Sequence, residues 1–211
     1  MNTIKNVIFD LGGVIVDLEV EPALKAFAEL GFQSLLSSPE VRSEMHEINH
    51  RMDRGEIDTD TFLSILRQHC QSGVTDEQLV TAFNRVIVLP RHRLQRLTAL
   101  RKHCRVYLLS NLSDLHWRET RRQATAHGID IDSCFDEVFL SYRLKMAKPD
   151  PNIYRHLIDA TGIDPKETLY IDDLTENIRA GSEAGLQAHQ IPCNGLDEEW
   201  EKLFPLFPNL S

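Results

Sequence analysis

From residue 91 onward, short apolar runs alternate with segments whose apolar residues recur at helical spacing. The apolar runs lie at about 106–111, 137–141, 168–173 and 187–191, and the helical patterns lie at about 91–103, 114–128 and 175–185. Strands separated by helices require right-handed crossovers, which produce a parallel sheet covered by helices. The alternation therefore predicts an α/β fold with a Rossmann-like parallel sheet core flanked by helices.

Residues 20–88 show a different pattern, because their apolar residues recur only at helical spacing. Ahead of them, residues 7–9 form another apolar run, so the sheet begins before this helical segment. We therefore predict a core made of residues 1–16 and 90–211, interrupted by an inserted α-helical domain at 17–89. Residues 194–211 are expected to form a terminal helix and tail.

Bulk properties exclude several classes of partner. A net charge of −9 argues against non-specific binding to nucleic acid or anionic membranes. No apolar run approaches the ~20 residues of a membrane helix, and no secretory signal pattern is present, so we predict a cytoplasmic protein. Cys70, Cys104, Cys134 and Cys193 are widely spaced, which predicts reduced thiols rather than a zinc site.

Polar residues follow three of the apolar runs at the point where each run ends. These residues are Asp10, the pair Ser110-Asn111 and the pair Asp172-Asp173. In an open parallel sheet the carboxyl ends of the strands share one rim, where ligands bind. Lys148 follows the run at 137–141 by a short loop, so it is expected to reach the same rim.

The three carboxylates of Asp10, Asp172 and Asp173 are unfavourable together unless one is protonated or a divalent cation binds. Hard carboxylate oxygens suit Mg²⁺, and soft zinc ligands are missing from this set. A hydroxyl, an amide and an ammonium beside a magnesium site form a receptor for a phosphoryl group. The alternative is that the carboxylates only cap loops and helices.

Four motifs carry a family resemblance. The segments Asp10-Leu11-Gly12-Gly13-Val14, Leu109-Ser110-Asn111, Lys148-Pro149 and Ile171-Asp172-Asp173 resemble the four ordered motifs of the haloacid dehalogenase superfamily. Residues 17–89 resemble the α-helical cap domain that this superfamily inserts after its first motif. The Asp-x-Gly start and Arg54-Gly55-Glu56-Ile57 in the cap are most similar to the bacterial sugar-phosphate phosphatases of the glucose-1-phosphatase type.

The resemblance implies a role for each matching residue. Asp10 would attack phosphorus and form an aspartyl-phosphate, which water then hydrolyses. Ser110 and Asn111 would hold phosphoryl oxygens, and Lys148 would neutralise both the nucleophile and the transferred group. Gly12 would border the substrate.

The resemblance also implies the ligands of a Mg²⁺ ion. These ligands would be Asp10, the backbone carbonyl of Gly12 and Asp173, with Asp172 bound directly or through water. Of the adjacent pair, Asp173 is expected to be the closer ligand. The implied partner is a small phosphorylated metabolite.

The chain departs from the family pattern at Gly12. Most phosphatases of the superfamily have a second aspartate there as general acid and base, a group worth on the order of 10²–10⁴ in rate. The prediction is therefore a Mg²⁺-dependent phosphatase, acting on a sugar phosphate, that lacks this group. Two alternatives stay open: a low-turnover protein that binds phosphorylated ligands, and a metal-free 2-haloacid dehalogenase.

The segment His46-Glu47-Ile48-Asn49-His50 matches the HExxH pattern of zinc peptidases. No third ligand is evident in the sequence, and a solvated helix face also explains the pattern. The same helix, with Arg51 and Arg54, would alternatively line the cap side of the pocket. We therefore do not predict zinc chemistry.

Overall fold

The computed structural model describes residues 4–203, so the predicted tail at 204–211 lies outside the described residues. The strands are β1 (Asn6–Phe9), β2 (Asp17–Leu18), β3 (Ile87–Val88), β4 (Arg105–Ser110), β5 (Glu137–Leu140), β6 (Thr168–Asp172) and β7 (Gln187–Gln190). Five of them form a sheet in the order β5-β4-β1-β6-β7, and all neighbours are parallel.

Helices connect these strands. They are α1 (Val20–Glu29), α2 (Ser34–Ser37), α3 (Pro39–Asp53), α4 (Thr59–Gln68), α5 (Asp76–Asn84), α6 (Arg91–Leu100), α7 (Asp114–Ala126), α8 (Ser141–Leu144), α9 (Pro151–Thr161), α10 (Thr175–Glu183) and α11 (Leu196–Leu203). Two 3₁₀ turns lie at Ile131–Cys134 and Pro165–Glu167. None of the helices in residues 4–203 is long and apolar enough to span a bilayer.

Both faces of the sheet are buried, because alternate residues of each central strand pack into different apolar clusters. In β1, Val7 and Phe9 pack with residues of α6, α7 and α11, whereas Ile8 packs with residues of α9 and α10. The layered arrangement confirms the predicted α/β class with a parallel sheet flanked by helices. The four cysteines are free thiols, as their spacing predicted.

Helices α1–α5 share an apolar cluster, which includes Phe27, Phe32, Phe62 and Leu79 and to which α7 adds Leu115. The expectation that residues 20–88 are wholly helical is wrong at one end. Strand β3 pairs antiparallel with β2, matching Asp17 with Val88 and Leu18 with Ile87. Two-residue strands are too short to show a period, so the sequence pattern does not reveal them. This small sheet brings together the points where the chain enters and leaves the helical segment.

Candidate active site

The register of the sheet brings the predicted polar residues to one rim. Phe9 is level with Leu108 on β4 and with Ile171 on β6. Asp10 directly follows β1, and its backbone N–H donates to the Ile171 carbonyl at 2.9 Å, so Asp10 lies beside Asp172 at the end of β6. Ser110, which ends β4, is buried, and its hydroxyl lowers the pKa of Asp10. The parallel topology thus assembles a site from three segments far apart in the chain.

A buried ammonium joins two of these carboxylates. Lys148 Nζ lies 3.0 Å from Asp10 Oδ1 and 2.6 Å from Asp172 Oδ2, and its side chain is 1% exposed. Burial alone would lower the pKa of Lys148, but the two carboxylates outweigh this effect and raise the pKa above its ordinary value. The lysine therefore stays charged, and it offsets the cost of burying two carboxylates.

The side chain of Asn111, predicted to hold phosphoryl oxygens, pairs with the backbone of Lys148. Its Nδ2 donates to the Lys148 carbonyl at 2.8 Å, and its Oδ1 accepts from the Lys148 backbone N–H at 2.9 Å. A planar amide that carries one donor and one acceptor group can pair in this way with a peptide unit. Asn111 therefore fixes the backbone from which the Lys148 side chain extends.

Asp172 is held by donors on both carboxylate oxygens. Besides Lys148, its Oδ2 accepts from the Tyr170 hydroxyl at 2.6 Å. Its Oδ1 accepts from the Leu174 N–H at 2.9 Å and from the Asn177 amide at 3.0 Å. Burial favours the neutral form, but Lys148 and these hydrogen bonds lower the pKa of Asp172 below its ordinary value. Asp172 is thus an ionised group whose lone pairs are largely occupied.

Asp173 lies against the loop that follows Asp10. A Cβ atom added at Gly13 would lie 2.5 Å from Asp173 Oδ2, and Gly13 has a φ of +73°. Only glycine fits this combination of left-handed backbone and close approach. Burial raises the pKa of Asp173, and a hydrogen bond from the Cys193 thiol opposes the rise. The absence of a side chain at Gly13 therefore leaves room for the Asp173 carboxylate at the site.

One oxygen each from Asp10, Asp172 and Asp173 lie within 4.8 Å of one another. Oxygens on opposite sides of an octahedral Mg²⁺ ion lie about 4.2 Å apart, so the three carboxylates are grouped closely enough to be candidate ligands of one such ion. Burial raises the pKa of Asp10 to about 6, and Asp172 adds to the rise while Lys148 opposes it. A divalent cation at this point would favour the ionised carboxylate.

A cleft of about 410 Å³ opens beside Lys148. Residues 111, 147–150, 174, 176 and 177 line it on the side of the sheet, and His50, Asp53 and Arg54 line it from the end of α3. The volume is within the range of small-molecule sites, and most of the lining residues have polar or charged side chains. The helical segment therefore contributes side chains to the same cleft as the lysine of the rim.

A family model described as haloacid dehalogenase-like hydrolase matches residues 4–185. The chain belongs to the haloacid dehalogenase-like hydrolase family. The family resemblance carried by the four motifs is therefore confirmed. In this haloacid dehalogenase-like hydrolase, the motif residues Asp10, Ser110, Lys148 and Asp172 meet at the carboxyl ends of parallel strands.

Similar proteins include a phosphatase and, at much lower identity, a dehalogenase that shares the fold. A D-ribitol-5-phosphate phosphatase from Bacteroides thetaiotaomicron is 34% identical over 203 residues, covering 92% of this chain and 94% of that protein. A HAD family enzyme from the same organism, crystallised with magnesium and inorganic phosphate, matches at 33% identity with a TM-score of 0.85, covering 95% of this chain and 99% of that chain. An L-2-haloacid dehalogenase from Xanthobacter autotrophicus, 17% identical with a TM-score of 0.58, covers 99% of this chain and 84% of that chain and shares the fold.

The HExxH pattern of this hydrolase does not form a zinc site. His46 Nε2 and His50 Nε2 lie 2.9 Å apart in a hydrogen bond, and Glu47 pairs with Arg54 at 3.1 Å. Over residues 4–203, the aspartates at the rim are the only group of three or more His, Cys, Asp or Glu side chains spaced for a metal. Of the alternative pocket residues on this helix, His50 and Arg54 line the cleft, and Arg51 does not.

Sequence analysis missed the residues that support the site. Tyr170 and Asn177 both donate to Asp172, and Asp53 lines the cleft from α3. Tyr170 lies two residues before Asp172 on the same strand, and residues with this spacing have side chains on the same face. This spacing is the sequence signal that could have identified Tyr170. Asp53 directly precedes the Arg54-Gly55-Glu56 segment that the family resemblance singled out.

Proposed function

We propose that this hydrolase is a Mg²⁺-dependent phosphatase of a small phosphorylated metabolite, of the sugar or sugar-alcohol phosphate class. The observation that carries the proposal is the Lys148 ammonium between Asp10 and Asp172, with Asp173 beside them. A dianionic phosphoryl group next to a nucleophilic carboxylate needs such positive charge. The D-ribitol-5-phosphate phosphatase relative and the magnesium and phosphate complex of the structural neighbour support it.

In the proposed reaction, Asp10 attacks phosphorus and the bond to the alcohol oxygen breaks, leaving an aspartyl-phosphate. Water then attacks phosphorus, the bond to Asp10 breaks, and inorganic phosphate leaves. Lys148 reduces the repulsion between Asp10 and the incoming phosphoryl group. The Ser110 hydroxyl, buried beside Asp10, donates to a phosphoryl oxygen. The backbone at Gly12 borders the same group.

The metal would be held by Asp10, Asp173 and the Gly12 carbonyl. Asp172 is the weaker candidate for direct contact, because Lys148 and three other donors already occupy its oxygens. We therefore propose that Asp172 acts through water and through Lys148. Mg²⁺ would neutralise phosphoryl charge and orient that group towards Asp10.

We propose that residues 1–16 and 90–211 form the catalytic core and that residues 17–89 form a cap over it. The apolar cluster that α1–α5 share, joined from the core only by Leu115 among its buried residues, and the two-stranded sheet at their base support this division. We further propose that the enzyme works in the cytoplasm. Four free thiols, with Cys193 exposed, suit a reducing compartment.

The experiment is a panel of phosphorylated metabolites and haloacids, with and without Mg²⁺, run on the wild type and on Asp10→Asn. We expect hydrolysis of sugar or sugar-alcohol phosphates that EDTA abolishes, and a loss of at least about 10³-fold in kcat/KM in the variant. An Asp10→Asn protein as active as the wild type contradicts the proposed mechanism. Haloacid turnover that survives EDTA would instead establish a dehalogenase, and tight phosphate binding without turnover would establish a binding protein.

A further inference from the structure

The loop after Asp10 offers no proton to the leaving group. Gly12 stands where most phosphatases of the superfamily carry an acid, and an alkoxide leaves poorly unless it is protonated. Three carboxyl groups line the cleft beside Lys148: Asp53, Asp150 and Glu176. Asp150 and Glu176 are exposed, and Asp150 accepts from a backbone N–H of α9, so Asp53 is the only buried carboxyl of the three.

The position of Asp53 is fixed by contacts between α3 and the rim of the sheet. The Ser141 hydroxyl donates to the Asp53 carbonyl at 2.5 Å and accepts from the Leu112 N–H at 3.0 Å. Two residues later, Gly55 has a φ of +67°, and a Cβ there would lie 2.5 Å from the Tyr142 carbonyl oxygen. The end of α3 is therefore held directly over the ends of β4 and β5.

The carboxyl group of Asp53 has one oxygen with an unused hydrogen-bonding position. Its Oδ2 accepts from the Asn49 amide at 3.1 Å, whereas its Oδ1 is buried without a hydrogen-bond partner in the described part of the chain. The adjacent Arg54 is engaged by Glu47 and Glu56. Burial raises the pKa of Asp53 to about 7, although Arg54 opposes the rise.

We propose that Asp53 is the general acid and base of this phosphatase, supplied by the cap in place of the carboxyl missing at Gly12. The inference rests on the proposed function. As Asp10 forms its bond to phosphorus, the phosphorus–oxygen bond to the alcohol breaks, and Asp53 gives its proton to that oxygen. The Asp53 carboxylate then takes a proton from the water that attacks the aspartyl-phosphate, which restores the acid and releases phosphate.

Other charged groups line the same cleft as Asp53. They are His50 on α3, Arg54 directly after it, and Lys148, Asp150 and Glu176 on the side of the sheet. Burial and the neighbouring His46 lower the pKa of His50 below its ordinary value, so His50 is neutral where Asp53 titrates. A decline in rate above neutrality therefore belongs to Asp53 rather than to the imidazole, whereas Asp10, with a pKa of about 6, gives a rise in rate at lower pH.

The test compares two leaving groups in Asp53→Asn. For the alkyl phosphate that the wild type hydrolyses best, we expect kcat/KM to fall by about 10²–10⁴. For p-nitrophenyl phosphate we expect a change of under about threefold, because nitrophenolate leaves without a proton and kcat/KM reports only transfer to Asp10. Asp60→Asn, which changes an exposed carboxylate on α4, is the matched control and should leave both values unchanged.

Equal losses on both phosphates, or no loss on the alkyl phosphate, would overturn the assignment of Asp53. The wild type provides a second measurement that does not depend on the folding of the variant. Its kcat/KM should decline above about pH 7 for the alkyl phosphate only, and a decline of the same size for both phosphates also overturns it. Failure of the proposed function is a different result: the Asp10→Asn protein would keep wild-type activity.

Discussion

Two buried aspartates, one on the sheet and one at the end of α3, have opposite protonation behaviour. Asp172 is surrounded by Lys148 and three further donors, and its pKa lies below the ordinary value. Asp53 has one donor, and burial raises its pKa to about 7. Both side chains are removed from water, so burial alone does not decide the charge of a carboxyl group. The donors that accompany it decide whether it serves as a fixed charge or as an exchangeable proton.

The largest effect should come from removing the cation that keeps Asp172 ionised. Lys148→Met leaves Asp10 and Asp172 close together without compensation, so we expect activity to fall by at least about 10³-fold. The free energy of unfolding without metal should fall by about 3–5 kcal/mol, which urea titration measures. Lys102→Met changes an exposed lysine and is the control for both quantities. A stable, active Lys148→Met protein would show that this ion pair is dispensable.

The protonation of Asp53 should appear as a pH dependence of stability. In the unfolded chain this group loses its proton near 3.8, and in the folded protein it keeps the proton to about 7. Between these values the folded state binds more protons, so stability falls as pH rises, by roughly 1.4 kcal/mol per pH unit, and levels off above pH 7. Urea titrations of wild type and Asp53→Asn should differ by this slope. Parallel curves would mean that Asp53 is ionised throughout.

Smaller effects are expected from alanine substitutions at two glycines, which distinguish the cost of backbone strain from the cost of displacing the Asp173 carboxylate. Gly13 and Gly128 have nearly the same φ, +73° and +74°, but only at Gly13 would a Cβ clash with a carboxylate. Gly128→Ala should cost about 1–2 kcal/mol of stability and leave Mg²⁺ affinity unchanged. Gly13→Ala should cost more and weaken Mg²⁺ binding, as measured by calorimetry. Equal Mg²⁺ affinities in the two variants would show that the space left by Gly13 is not needed for metal binding.

The smallest expected effect concerns the support of Lys148. Asn111→Ala removes two hydrogen bonds to the Lys148 backbone, so we expect a loss of about 1–3 kcal/mol in stability. Without these hydrogen bonds the Lys148 ammonium is positioned less precisely, which should reduce kcat and leave KM nearly constant. A rise in KM with constant kcat would instead indicate that Asn111 contacts the substrate directly.

The rim of the sheet was predictable because strand periodicity and polar strand ends are local patterns. Asp10, Ser110 and Asp172 each end or follow a run of apolar residues, and parallel pairing brings such ends together. The role of the Asn111 side chain was not predictable, because its partners lie 37 residues away.

The contribution of the helical segment to the cleft was harder to predict from the sequence. The importance of Asp53 depends on how α3 docks on the sheet, a tertiary contact made through Ser141 and Gly55. A single aspartate at the end of a helix has no periodic pattern to mark it. Strands β2 and β3 escaped prediction for a related reason, because two residues cannot show alternation.

The most direct test of the central claim is to trap the phosphorylated enzyme. Wild-type protein with Mg²⁺ and a hydrolysed sugar-alcohol phosphate is quenched in acid during turnover, digested and examined by mass spectrometry. The account predicts a phosphoryl group on the peptide that contains Asp10, which is absent in Asp10→Asn and after EDTA treatment. A phosphoryl group on another residue, or rapid turnover with no phosphorylated peptide, would contradict it.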